Sequence, residues 1–259
     1  MLLEYLKNSK INISKKEINL LESEGFVVLK KTLDFWNSLN IDLDALGNRC
    51  DQLIKEEGAL AGQDGKNVIG KNLGERGASR LKNLLAKGDC FRKLVSIPDI
   101  LFCCRHILGE NFKLSSIDLR EPLPNKGFQG LHLDWKQRSS ENSNFFQCTA
   151  FILLDDVNKK NGAIRIIPKS HQKLCYIKSS SHLKENRTAQ DHAILEEEDR
   201  INSKLIIGKR GDIIILNVNS FHGGTNNKSG ERRRLIHLNY RHMSFPLNID
   251  QYEFIPKYL

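Results

Sequence analysis

Hydrophobic positions change their period near residue 109. Before it, apolar residues recur at helical spacing. After it, they fall into short runs cut by Gly, Asn, Asp and Pro. Ser14-Lys-Lys-Glu17 is a capping-box pattern that opens a helix running to about Glu24, and Gly25 stops it. Phe26 to Leu29 (FVVL) reads as a strand, and residues 42–57 carry apolar positions at helical spacing. Gly58 to Gly77 holds six glycines in 20 residues, which predicts a loop able to act as a lid. Residues 79–108 predict helix in two pieces, broken near Pro98. Seven β-rich runs follow: KLSSIDLRE, GLHLDW, QCTAFILLDD, AIRIIP, KLIIG, DIIILNV and RLIHLNYRH. They predict an α+β, mainly β chain built as a sandwich or double-sheet barrel, with N-terminal helices covering one sheet. The expected organisation is one domain over 1–259, with 1–108 as mainly helical support and 109–245 as the β core.

Composition narrows this picture. At 259 residues, 39% hydrophobic and 27% charged, the chain has enough apolar side chains for a core and is not a disordered polymer. No apolar run reaches the roughly 18 residues of a membrane span. The first residues show no apolar signal region, and the six cysteines form no CxxC pair, so reduced thiols and a cytoplasmic location are expected. The net charge of +9 favours anionic partners. The excess is dispersed except at Arg232, Arg233 and Arg234, and no basic stripe interleaved with aromatics suggests nucleic acid.

His132 and Asp134, in LHLDW, are two residues apart, so on a strand they share a face and reach one ion. His222, in SFHGG, offers a third ligand 88 residues after Asp134. Two imidazoles and a carboxylate on one side of an ion match the facial triad of non-haem Fe(II) oxygenases, and zinc accepts the same donors. An HxD alone is common by chance and also serves as a plain strand end. Arg233 sits 11 residues after His222 on the next run, where alternation sends inward either Arg233 or the pair Arg232 and Arg234. His237 alternates with Arg233 and is expected inside the barrel, as a core residue.

Several pieces, in order, resemble the phytanoyl-CoA dioxygenase family of Fe(II)/2-oxoglutarate oxygenases: KEINLLESEGFVVLKKTL, FRKLVSIPDILFCCRHILG, GFQGLHLDW, FILLDDVNKKNGAIRIIPKSH and KRGDIIILNVNSFHGGTNNKSGERRRLIHLNY. The resemblance implies a double-stranded β-helix (jelly roll), Fe(2+), 2-oxoglutarate as co-substrate and O2. It implies iron ligation by His132, Asp134 and His222, and a salt bridge from Arg233 to the distal carboxylate of 2-oxoglutarate. It also implies co-substrate contacts from Arg80, Phe151 and Ile117, although an apolar strand residue such as Phe151 or Ile117 equally well fills a core. The sequence departs from the family at Lys169, where glycine is usual, and at Gly224, where some members carry a hydroxyl beside the co-substrate.

The function expected from this resemblance is hydroxylation of a small molecule, with 2-oxoglutarate decarboxylated to succinate and CO2. Desaturation, cyclisation or epimerisation at the same iron remains open. A nucleic-acid-binding or demethylating protein is the reading from a different class. Asp134 argues against halogenation, because a carboxylate takes the position a halide needs. Lys136, Gln137 and Arg138 are candidates to meet an anionic substrate, and no membrane partner is expected. The polar stretch Ser179 to Ser203, with His182 and His192, predicts a surface excursion or lid, and Trp135 a packing residue.

Overall fold

The computed structural model describes residues 2–57, 77–134, 146–172 and 201–244. In chain order these form α1 (Leu2–Asn8), α2 (Lys15–Glu24), β1 (Phe26–Leu29), α3 (Leu33–Ser38), α4 (Leu43–Glu57), β2 (Ala78–Leu81), α5 (Asp89–Arg92), α6 (Pro98–Leu108), β3 (Phe112–Pro122) and β4 (Gln147–Leu153). The series ends with β5 (Ile164–Ile166), β6 (Lys204–Ile206), β7 (Ile213–Asn217), β8 (His222–Gly224) and β9 (Leu235–His242). A large sheet runs β1-β7-β4-β9-β3-β2 and a small one β6-β5-β8. Two sheets face to face, with helices on the outside of the larger, make the double-sheet barrel expected from the strand pattern and the jelly roll that the family resemblance implies.

The alternation of the strands explains both layers. In β4, β7 and β9, one set of side chains (Cys148, Ala150, Ile152, Ile213, Ile215, Ile236, Leu238, Tyr240) faces the helices and joins Trp36, Leu46, Leu53, Ile100 and Leu101 in the main core. The alternate set faces the small sheet, where Phe151, Leu153, Ile214, Leu216 and Leu235 meet Ile164, Ile166 and Ile206. Burial of both faces produces near-continuous apolar runs such as IIIL.

The helical boundaries follow local chemistry. Ser14 caps α2 and Glu17 reaches back to the Ser14 N–H, which completes the capping box. Gly25 ends the helix at φ +84°, a left-handed turn that suits glycine. Pro98 is the first residue of α6 rather than a break inside a helix.

Two expectations need correction. Residues 78–81 form edge strand β2, paired with β3, where helix is expected. This half-buried ASRL segment leaves too little apolar signal to read. Residues 130–134 of the GLHLDW run form no strand; among the described residues they make a single bridge, His132 to His222. The stretch 1–108 thus supplies β1, the strand expected at Phe26 to Leu29, and β2, the two edges of the large sheet, beside its helices.

Candidate metal centre and its cavity

The geometry of the centre begins with glycine. A Cβ at Gly223 would lie 2.5 Å from Gly130 O and 2.6 Å from Gln129 O. With only hydrogen there, β8 closes onto the chain before His132, and the two histidines exchange backbone bonds of 2.8 and 3.0 Å. Leu133 turns the other way and packs with Ile167 and Phe221. That anchor leaves His132 and Asp134 on the cavity side, so the shared face expected of a strand is reached without one.

Each imidazole is fixed by its own chain. His132 Nδ1 lies 2.8 Å from Gly130 O, and His222 Nδ1 lies 2.9 Å from Ser220 O. A carbonyl only accepts, so each Nδ1 carries the proton and each Nε2 presents a lone pair. Both Nε2 atoms face Asp134, at 3.3 Å from Oδ1 and 3.6 Å from Oδ2. The ligand atoms of the three residues lie within 4.8 Å of one another. Burial alone would raise the Asp134 carboxyl. With a proton on Nε2, the neighbouring His222 and His132 overrule it and hold the group well below the usual carboxylate range, so the carboxylate favours positive charge on that side. Two inward lone pairs and an ionised carboxylate call for a cation between them. Imidazoles oriented by backbone carbonyls are the usual outer support of a metal. The donor set therefore fits a divalent ion with open positions.

The triad opens on a cavity of about 290 Å³ between the two sheets. Arg233 enters it and is 1% exposed. Its neighbours turn away. Arg232 pairs with Asp51 and Glu121, and Arg234 with Asp155 and Asp51. Phe151 lines the cavity with its ring edge-to-face against His237, centroids 4.7 Å apart. His237 is therefore a cavity residue rather than simple core. Arg80 also lines the cavity.

Ile117 does not. It is 1% exposed within the core under the helices. The alternation carried on from Leu114 sends it inward, but a register shift between Leu114 and Ser116 reverses the phase. Ser116 and Asp118 face the cavity instead. Lys169 adopts φ +65°, so lysine occupies a left-handed turn outside the cavity lining.

The sequence reading missed other lining residues. Arg120, Gln129, Thr149 and Asn239 belong to this cavity. Thr149 Oγ1 donates to Asn239 Oδ1 at 2.7 Å, and Asn239 Nδ2 donates to Ser116 Oγ at 2.8 Å. The signal was the polar set at alternate positions of RLIHLNYRH and of SSIDLRE. Trp135, Lys136, Gln137, Arg138, His182 and His192 lie outside the described residues, as do 58–76 and most of Ser179 to Ser203.

Comparison with known proteins is consistent with this geometry. A family model described as phytanoyl-CoA dioxygenase (PhyH) matches residues 22–235. A probable alpha-ketoglutarate-dependent hypophosphite dioxygenase of Stutzerimonas stutzeri is 29% identical over 166 residues, covering 62% of this chain and 56% of that protein. An ectoine dioxygenase of Bordetella bronchiseptica is 24% identical over 186 residues, covering 64% and 58%. The chain thus spans less than two thirds of these curated relatives. Among solved structures, the non-heme alpha ketoglutarate dependent carbocyclase SnoK from nogalamycin biosynthesis superposes with a TM-score of 0.64 at 20% identity, covering 89% of this chain and 85% of that one. EctD from S. alaskensis, with 2-oxoglutarate and 5-hydroxyectoine, gives 0.64 at 17% identity, covering 92% and 79%. These likenesses establish the fold.

Proposed function

The chain belongs to the phytanoyl-CoA dioxygenase family, and from that premise we propose that it is an Fe(II)- and 2-oxoglutarate-dependent dioxygenase that hydroxylates a small anionic molecule. Iron and 2-oxoglutarate, held by the residues named below, would supply the oxygen-activating chemistry, with one atom of dioxygen passing to succinate, formed with CO2, and the other to a substrate C–H bond. The observation that carries the reading is the pair of imidazoles whose Nδ1 atoms are tied to backbone carbonyls while both Nε2 atoms face Asp134.

In this reading His132, Asp134 and His222 hold the iron. Arg233, buried and inward, forms the fork for the distal carboxylate of the co-substrate, the geometry for which a guanidinium is suited. Phe151 flanks it and helps exclude water. The anionic substrate is supported by the basic lining, and by a relative named for hypophosphite, itself a small anion. The buried free thiols Cys50, Cys103, Cys104 and Cys148 suit reducing, cytoplasmic surroundings. No helix among the described residues is long and apolar enough to cross a membrane.

The test is succinate formation from 2-oxoglutarate by the Fe(II)-loaded protein with a panel of small anions and neutral controls. Failure of every member to raise succinate above the substrate-free rate would reject the enzyme. Reaction in excess chloride under labelled dioxygen fixes the outcome. Asp134 fills the halide position, so the product should gain labelled oxygen and no chlorine.

A further inference from the structure

A row of three polar side chains crosses the large sheet inside the cavity. Asn239 of β9 stands opposite Thr149 of β4 on one side and Ser116 of β3 on the other, and all three line the cavity. Their hydrogen bonds run in one direction, which is fixed from the far end. Asp118 is the accepting end: the Asn83 N–H donates to it at 3.2 Å, and the Lys82 ammonium lies 3.5 Å away. Ser116 Oγ therefore gives its single proton to Asp118 Oδ2, at 3.1 Å. It must then receive from Asn239, so the amide turns Nδ2 toward Ser116, at 2.8 Å. The amide oxygen is left facing Thr149, whose Oγ1 donates to it at 2.7 Å.

That direction decides what the row still presents to the cavity. Thr149 has used its only hydroxyl proton and keeps oxygen lone pairs. Asn239 has used one of its two Nδ2 protons. Among the described residues nothing donates to Thr149 Oγ1, and nothing accepts the second Asn239 proton. Thr149 is only 2% exposed. A polar atom so deeply buried calls for a partner.

The next row on the same face makes the same point independently. His237 stands between Phe151 and Asp118, and its Nε2 is buried with no hydrogen-bond partner among the described residues. Two adjacent rows of one cavity wall thus carry polar atoms that no described residue satisfies. Position along β9 separates this wall from Arg233. Arg233 precedes the strand, and Asn239 lies four residues, about 13 Å, beyond its first residue, Leu235.

We propose that Thr149 and Asn239 form a subsite for a hydroxyl group of the primary substrate, which donates to Thr149 Oγ1 and accepts from Asn239 Nδ2. A carboxylate only accepts and an ammonium only donates, so neither satisfies both residues. The inference rests on the oxygenase reading and narrows its small anionic substrate to one that carries a hydroxyl.

The experiment is calorimetry on the Mn(II)-loaded full-length protein with saturating 2-oxoglutarate. The probes are acetate, propionate and butyrate, each compared with its ω-hydroxy and its ω-amino counterpart. At least one hydroxy acid should bind about tenfold more tightly than both its parent acid and its amino counterpart. Thr149→Val and Asn239→Leu should each reduce that preference to about twofold or less, and leave 2-oxoglutarate affinity within about threefold. Thr149→Ser, which keeps the hydroxyl, should retain the preference. A purely structural role would weaken all probes alike and leave the ratio unchanged. Should Asn239→Leu not fold, Thr149→Val, of nearly the same shape as the parent, carries the same expectation.

The assignment is overturned if no hydroxy acid outbinds its parent acid, if the amino counterpart takes the preference, or if the preference survives in the variants. It is also overturned if those variants lose 2-oxoglutarate as severely as Arg233→Ala, which would place the row at the co-substrate. A hydroxyl preference that depends on Thr149 in a protein that takes no 2-oxoglutarate would keep the subsite and reject the co-substrate reading.

Discussion

Of three consecutive arginines, one enters the barrel, and strand alternation selects it. Arg233 is buried in the cavity, whereas Arg232 and Arg234 leave on the opposite side to meet Asp51. Arg233→Ala should therefore weaken 2-oxoglutarate binding about tenfold to a few thousandfold, the loss expected when one partner of a buried charge pair is removed. Metal affinity should stay nearly intact. Titrating both ligands into the variant decides, and an equal loss of metal binding rejects the role. His237 makes a different prediction. Burial and the nearby Arg80, Arg120, Arg233 and Lys82 depress its folded-state pKa. The unfolded chain takes up a proton at about 6.5 while the folded one does not. More protons bound in the unfolded state mean that stability is full above that pH and declines as pH falls below it. Melting temperatures between pH 7.5 and 5.5 should drop in the parent and drop less in His237→Gln. Parallel pH profiles for the two proteins would remove His237 as the cause.

At the scale of elements, the outward arginines tie α4 to the large sheet. Arg232 bridges Asp51 of α4 and Glu121 of β3, while Arg234 holds Asp155 and reaches Asp51. The Arg232 hydrogen bonds lower the Asp51 carboxyl. Burial pushes the Asp155 carboxyl up, but hydrogen bonds from Arg234 more than offset it, so it too is lowered. Carboxylates depressed in the folded state stabilise it above their ordinary pKa of about 4, and this is lost as pH falls below that value. Asp155→Asn should cost about 1.5–3 kcal/mol at neutral pH. It should also flatten acid unfolding below about pH 4. Urea titrations at both pH values measure this, and an unchanged neutral-pH midpoint would show the tie to be idle. The same elements show what sequence reveals. The capping box at Ser14 and the apolar runs of β4 and β7 announce themselves because local chemistry and burial agree there. β2 escaped notice because its partner is distant in sequence and its short segment is only half buried. Ile117, for which the family resemblance implies a co-substrate contact and its apolar character equally a core place, packs under the helices after a bulge that no residue type marks. Arg120 is legible as one of the alternating polar positions of SSIDLRE, but not as the neighbour of Arg80. Its place opposite Arg80 depends on strand pairing, which sequence spacing does not supply.

At the scale of the molecule, the interior is divided by polarity. The helix-side core and the layer between the sheets are apolar, while the cavity end carries the triad and a row of cations. That end concentrates positive charge around His237 and turns both imidazole Nε2 atoms toward one carboxylate. Ligands that bind only the folded state should therefore raise its stability. At about 100 times the dissociation constant the gain is about 2.7 kcal/mol. For a domain of this size that amounts to roughly 5–10 °C in melting temperature. Mn(II) alone should give part of the shift. Adding 2-oxoglutarate should give more, because a co-substrate held as proposed would engage the metal and Arg233 together. EDTA should reverse the metal-dependent part, and Asp134→Ala should abolish it by removing one ligand and one negative charge. Arg233→Ala should keep the metal shift and lose the increment from 2-oxoglutarate. The two halves of the site can thus be read separately in one experiment without turnover. A parent protein whose melting is indifferent to metal and 2-oxoglutarate, alone and together, would mean that the convergence of His132, Asp134 and His222 serves the fold rather than an ion.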